Sequence, residues 1–317
     1  MNISFAKRQL NAFGKMRALI LSLPKLLRTG GIVKLMAACF AFVQLAGAVL
    51  LDTPTCPSGE KLDMSKFEPT WSDEFDAGIF DKTYWSGSWC WGDNGISENE
   101  GGYWHRSQVS YRDGNMIINC SYREDGPAGP GYYGYGMDTR PGSDGPDKIG
   151  FEQLYGYFEI RCILPKGNGL NPAFWFICEG MFNTDPDGGL TDGGITGAEI
   201  DVFETKYNSG DRTLHKNSVY HTIHVDDYQE YHRSENQGSF YAKNPYEEYN
   251  TYGFEWNRDE YIFYINGVET ARTDFGGVCQ VPLYPIISLG MAKNLTENKD
   301  LPAEFVVDYF RAYQYRQ

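Results

Sequence analysis

The stretch GAEIDVFETKY, residues 197–207, holds three carboxylates within six positions: Glu199, Asp201 and Glu204. Ile200, Val202 and Phe203 between them favour strand. Side chains alternate faces along a strand, so Glu199 and Asp201 share a face and Glu204 falls on the other. One extra residue around Val202–Phe203, a β-bulge, restores the parity and gathers all three acids on one side. Glu199 and Glu204 are then effectively four strand positions apart, roughly 13 Å at about 3.3 Å per residue. Side chains leaning toward each other bring the carboxyls to roughly 5–6 Å, near the spacing of about 5–5.5 Å that suits retaining hydrolysis of a glycosidic bond. In that chemistry one carboxylate attacks the anomeric carbon. The other protonates the leaving oxygen and then activates water. A third acid on the same face makes full ionisation costly, so the cluster keeps a proton near neutral pH, and a hydrogen bond from Asp201 can fix the Glu199 rotamer. Two other readings share this spacing: an edge strand protected by its charges, and a calcium site, since clustered acids suit a hard cation.

Such a strand needs a sheet around it. GNMIINCSY (114–122), YGYFEIRCILP (155–165), NPAFWFICEG (171–180), SVYHTIHV (218–225), TYGFEWN (251–257), EYIFYINGVET (260–270), YPIISLGMA (284–292) and EFVVDYFRAYQY (304–315) alternate or run apolar between Gly, Pro, Asn and Asp clusters. YINGVE carries the Asn-Gly hairpin signal. No long helical period follows residue 52, and no repeat. The expected fold is an antiparallel all-β sandwich. In SVYHTIHV, Val219, His221, Ile223 and Val225 share the face expected in the core. Tyr220, Thr222 and His224 share the other, which directs His224 to the ligand side as a sugar contact. The two histidines lie on opposite faces and make a poor metal pair. The 23 tyrosines and seven tryptophans could stack on sugar rings or pack the core, and composition does not separate the two roles.

Charge divides the chain. Residues 1–51 carry seven Lys or Arg and no acid, and include the apolar run LMAACFAFVQLAGAVLL (35–51). This reads as a signal peptide or an N-terminal membrane anchor, and so as a secreted or surface-held protein. The polar stretch 52–66 reads as a linker, leaving 67–317 as one domain. The remainder keeps all 42 acids against 21 Lys and Arg (28 less the leader's seven), a formal charge of −21. That argues against nucleic acid and anionic polymers and suits a neutral polymer. Of seven cysteines, Cys39 lies in the leader. The other six show no CxxC, and no bridge is assigned among them.

Around the acid triplet the residues resemble glycoside hydrolase family 16, in its laminarinase and agarase branch with the E-x-D-x-x-E signature. WSDEFD (71–76), YGYFEIRCILPKGNGLNPAFWFI (155–177), TYGFEWNRDEYIFYINGVE (251–269) and FVVDYFRAYQ (305–314) carry the resemblance, which covers roughly residues 66–317. It implies a concanavalin A-like β-jelly-roll sandwich with an open cleft. It also implies Glu199 as nucleophile, Asp201 as its helper and Glu204 as acid/base. Trp175 matches a family tryptophan beside the cleft. Glu98, Trp104 and His105, in SENEGGYWHR (97–106), lie where the family has a substrate-side loop. Glu74 and Asp308 lie in segments that match where the family often holds a structural calcium. No organic cofactor is expected. The expectation is a monomeric, retaining, endo-acting hydrolase of neutral β-glycan, foremost β-1,3- or β-1,3-1,4-glucan. A β-galactan hydrolase or a transglycosylase is the alternative within the family. A carbohydrate-binding module and a calcium-stabilised adhesion domain are the non-enzymatic rivals. The segments ICEGMFNTDPDGGLTDGGIT (177–196) and DDYQEYHRSENQG (226–238) depart from familiar laminarinases and are expected beside the cleft.

Overall fold

The computed structural model describes residues 54–87, 102–143, 148–182, 193–205, 217–291 and 301–317. The leader, Glu98 and Cys90 fall outside them. Fifteen strands follow in chain order: β1 (Phe67–Asp73), β2 (Gly102–Trp104), β3 (Val109–Arg112), β4 (Asn115–Arg123), β5 (Gly131–Asp138), β6 (Gly156–Ile163), β7 (Leu170–Ile177), β8 (Glu199–Glu204), β9 (Ser218–Val225), β10 (Arg233–Tyr241), β11 (Asn250–Trp256), β12 (Tyr261–Ile265), β13 (Val268–Thr273), β14 (Tyr284–Met291) and β15 (Ala303–Tyr315).

Hydrogen bonding runs in the order β10-β9-β8-β7-β14-β5-β4-β15-β6-β11-β12-β13, with β1 on β15, β3 on β4 and β2 on β5. The pairs are antiparallel except for β2 beside β5. Two strands change partners along their length. β4 pairs β15 through residues 116–120 and then β5 through 121–123. β5 pairs β4 through 131–133 and then β14 through 135–138. Strands that switch in this way turn one continuous sheet into two packed layers.

Inward side chains of the two layers meet as rings. Phe176 of β7 lies 4.9 Å from Phe158 of β6 and 5.5 Å from Phe254 of β11. Phe203 of β8 lies 4.5 Å from Tyr252 of β11. These rings are fully buried, and each phenylalanine contributes about 1.5–3 kcal/mol by leaving water. The other face of β7–β9 and β14 is left free of the second layer, and that face carries the acids.

The eight apolar segments expected to build the sheet all became strands. The β12–β13 hairpin turns at Asn266 (φ 51°) and Gly267 (φ 68°), as the Asn-Gly signal requires. One expectation changes. Residues 55–66 hydrogen-bond to the domain instead of bridging to it: Thr55 to Ser239 and Tyr241, Gly59 and Leu62 to the β13 hairpin. A polar composition with two prolines reads the same in a linker and in a strap held by backbone hydrogen bonds and one apolar side chain, Leu62, packed beside Phe67 and Tyr157.

Candidate active site

Strand β8 is bulged, and both neighbours record it. On β7 the adjacent Phe174 and Trp175 pair with Phe203 and Asp201. On β9 Tyr220 and Thr222, two apart, pair with Glu204 and Asp201, three apart. The extra residue lies in Val202–Phe203. Ile200, Val202 and Phe203 are therefore all fully buried in the core, and Glu199, Asp201 and Glu204 point the other way. The carbonyl of Val202 receives a 2.5 Å hydrogen bond from Nδ1 of His221, buried one strand away. That histidine, expected as a core residue, thus satisfies a backbone group that the bulge takes out of the ladder.

Each acid has its own partner. Glu199 sits opposite His224, whose Nε2 lies 3.8 Å from Glu199 Oε1 and 3.3 Å from Asp201 Oδ2. The Tyr228 hydroxyl donates to Glu199 Oε2. Asn171 Nδ2 donates to Glu204 Oε1 at 3.0 Å, and Tyr220 also hydrogen-bonds to Glu204. Behind His224, its Nδ1 lies 2.8 Å from Nε2 of His232, with the rings stacked at 5.1 Å and 5°. Tyr228 packs on His232 and Phe182 at 5.5 and 5.7 Å, an exposed aromatic rim.

Burial, then the charges of Asp201 and Glu204, push the Glu199 carboxyl well above the usual carboxylate range. Burial opposes a charge on His224 as well, but the Asp201 contact and the fields of Asp201 and Glu204 prevail and raise its pKa. Glu199 and His224 therefore favour holding their protons, as expected beside closely spaced acids.

Trp175 lies on the same face as Asp201, its register partner, with the indole nitrogen 3.2 Å from Ser288 Oγ. It is mostly buried in a small cluster with Ile177, Met181, Tyr284 and Ile286. Trp104 is buried on β2. His105 follows it and caps a short turn by accepting from the Ser107 amide, so the structure gives this pair local structural contacts. Glu98 lies outside the described residues. The expected calcium ligands do not fit a cation. Glu74 is held by both ends of the Arg311 guanidinium at 3.0 and 2.8 Å, and Asp308 pairs with Arg161. A guanidinium on each carboxylate repels a second cation, and the two pairs are separate. Sequence reading could not see these pairings, because Arg311 lies three residues from Asp308 yet binds the distant Glu74.

The sequence missed Asn171, Tyr228 and His232 as site residues. Asn171 is one residue from Pro172 and shares the face of Trp175 by even spacing. Tyr228 and His232 sit in the atypical stretch 226–238. The loop leaves β9 through two residues at positive φ, Asp226 (64°) and Asp227 (67°), which turn it back over the acids. Arg233 anchors it on the buried Asp226 at 2.8 and 2.5 Å.

Comparison with known proteins supplies the family. An endo-1,3-1,4-beta-glycanase of Rhizobium meliloti (strain 1021) is 24% identical over 290 residues, 80% of this chain and 53% of that protein. The chain thus spans about half the length of this relative. A beta-glucanase of Rhodothermus marinus is 24% identical over 270 residues, 78% of this chain and 86% of that one. The laminarinase catalytic domain from Thermotoga maritima superposes with a TM-score of 0.59 at 22% identity, over 80% of this chain and all of that domain. The family model for glycosyl hydrolases family 16 matches residues 99–294, more than half of the chain and with the bulged strand inside it, and the chain belongs to that family.

Proposed function

We propose that the protein is a retaining, endo-acting hydrolase of β-linked glucan. The observation that carries this reading is the bulge in β8, which turns three carboxylates onto the sheet face away from the second layer, with a separate donor on each glutamate. In this reading Glu199 attacks the anomeric carbon. The Tyr228 hydroxyl and the His224 imidazolium beside it stabilise the carboxylate once it ionises. Glu204, held by Asn171, protonates the leaving oxygen and then takes a proton from water. Burial and the neighbouring charges keep a proton on Glu199, and the leaving oxygen arriving at Glu204 draws that proton to its end. Asp201 bridges His224 and the strand, and it keeps the imidazole against Glu199.

The substrate class follows from charge and from the names of the relatives. A strongly acidic chain suits an uncharged polymer, and β-1,3- and β-1,3-1,4-glucans stand first. The basic, apolar leader supports action outside the cytoplasm. The test is release of new reducing ends by the full chain from laminarin, mixed-linkage glucan, β-galactan, agarose and xyloglucan, beside Glu199→Gln. Oligosaccharides from the glucans, with the β-anomer appearing first and no product from the variant, are expected. Cleavage of galactan or agarose alone would overturn the substrate. Equal binding by both proteins without cleavage would overturn the enzyme.

A further inference from the structure

We propose that the cleft also holds a binding site for a divalent transition metal of the zinc type, formed by Glu199, Asp201 and His224, and that the bound metal blocks the nucleophile. The blockade rests on the catalytic reading above; the site does not.

The donor atoms are already gathered. One ligand atom from each of the three residues lies within 4.8 Å of the other two. His224 Nε2 stands 3.3 Å from Asp201 Oδ2 and 3.8 Å from Glu199 Oε1. In tetrahedral zinc, with bonds of about 2.0–2.1 Å, neighbouring donor atoms stand roughly 3.3–3.4 Å apart. The first gap matches that edge, and a small swing of the Glu199 carboxylate closes the others.

A second observation points to a ligand. Asp201 is 3% exposed, and its Oδ2, paired by charge with the His224 imidazole at 3.3 Å, has no partner in good hydrogen-bond geometry among the described residues. A third is the support behind each ligand. Metal-binding histidines almost always engage their second ring nitrogen, which fixes the tautomer and directs the other lone pair to the metal. His224 Nδ1 meets His232 Nε2 at 2.8 Å and so presents Nε2 to the acids. Tyr228 occupies Oε2 of Glu199 and leaves Oε1 toward the imidazole. Both supporting side chains come from the loop after β9. The side chains of Glu199 and His224 stay partly open to solvent, so a water can take the fourth position. One nitrogen and two oxygens in a tight triangle suit zinc, cobalt or copper. Calcium and magnesium, which take six or more oxygen ligands, do not fit. A metal on Oε1 occupies the lone pair with which Glu199 would attack carbon.

The test uses the metal-free full chain. Calorimetric titration with zinc chloride should show one zinc per chain, and calcium chloride should show none. Cobalt chloride on the unaltered protein should give the intense visible bands of four-coordinate cobalt. His224→Gln should weaken zinc at least about tenfold, and His232→Gln by about 10–100-fold, as loss of an outer partner does. The proposal is overturned by no zinc binding, by the weak spectrum of six-coordinate cobalt, by a thiolate charge-transfer band that places the metal on cysteines, or by unchanged affinity in His224→Gln. None of these readouts uses turnover, so a protein that cuts no glycan would sink the catalytic reading and leave the metal site standing. Turnover that continues at saturating zinc would overturn the blockade.

Discussion

Glu199→Ala in the full chain should turn over a dinitrophenyl β-oligoglucoside at least about a thousandfold more slowly, the scale on which positioned catalytic groups contribute. Azide should restore part of the rate and yield the α-glycosyl azide. The reasoning is geometric. Removing the nucleophile leaves a hole beneath the anomeric carbon, and azide entering there inverts the centre once. In Glu204→Ala the dinitrophenolate leaves without a proton, so Glu199 still forms the covalent glycosyl-enzyme. Its release stalls for want of a base. Azide, which needs none, attacks from the opposite face, and the second inversion gives the β-glycosyl azide. The anomeric proton signal of each product distinguishes the two. One anomer from both variants, or the two reversed, would dismantle the assignment of roles. The experiment also bears on the bulge, since without the extra residue Glu204 would face the core and its loss would leave turnover untouched.

How far these groups could be read in advance depends on what fixes each of them. The parity conflict between Glu199 and Glu204 is a property of strand geometry, so the bulge was legible from spacing alone. The opposite faces of His221 and His224 followed from the same alternation, and the structure places the first in the core and the second among the acids. Strands with a buried face announced themselves by apolar pattern. β10, reading RSENQGSFY, did not, because it is an edge strand that is mostly exposed. β5, reading GYYGYGMD, was hidden by its glycines. The Tyr228–Glu199 and His224–His232 contacts depend on where a loop folds back, and that is set by Asp226 and Asp227 at positive φ and by Arg233. No periodicity encodes it. Glu74 and Asp308 show the converse. A matching segment suggested metal ligands, whereas arginines brought in from elsewhere in the fold had already claimed both carboxylates.

The second large effect concerns acid stability and begins at His221. The ring is fully buried between Phe263, at 4.5 Å and 13°, and Phe240, at 5.2 Å and 26°. Burial lowers its pKa to about 4, against a hydrogen bond to the Val202 carbonyl that favours the proton. An unfolded histidine titrates near 6.5. Above that value both states are neutral and the full stability is present. As pH falls through the window from about 6.5 to about 4, the unfolded chain takes up a proton that the folded chain refuses. Stability is lost across that window, on the order of 3 kcal/mol, and the loss levels off once both states are charged. His221→Asn keeps an N–H for the Val202 carbonyl but cannot charge. The variant should be the less stable protein at pH 7, for want of the stacked ring, and should lose less on acidification. The gap between the two urea midpoints should therefore close by the equivalent of about 3 kcal/mol between pH 7 and 4. Taking the difference cancels the carboxylates and the other histidines, which titrate alike in both proteins. A gap that stays constant over this range would mean that His221 charges freely in the fold. The phenyl rings would then not enclose it, and the hold of His221 on the bulge would lose its physical basis. A gap that closes ties the geometry of the acid triplet to the neutrality of one core histidine.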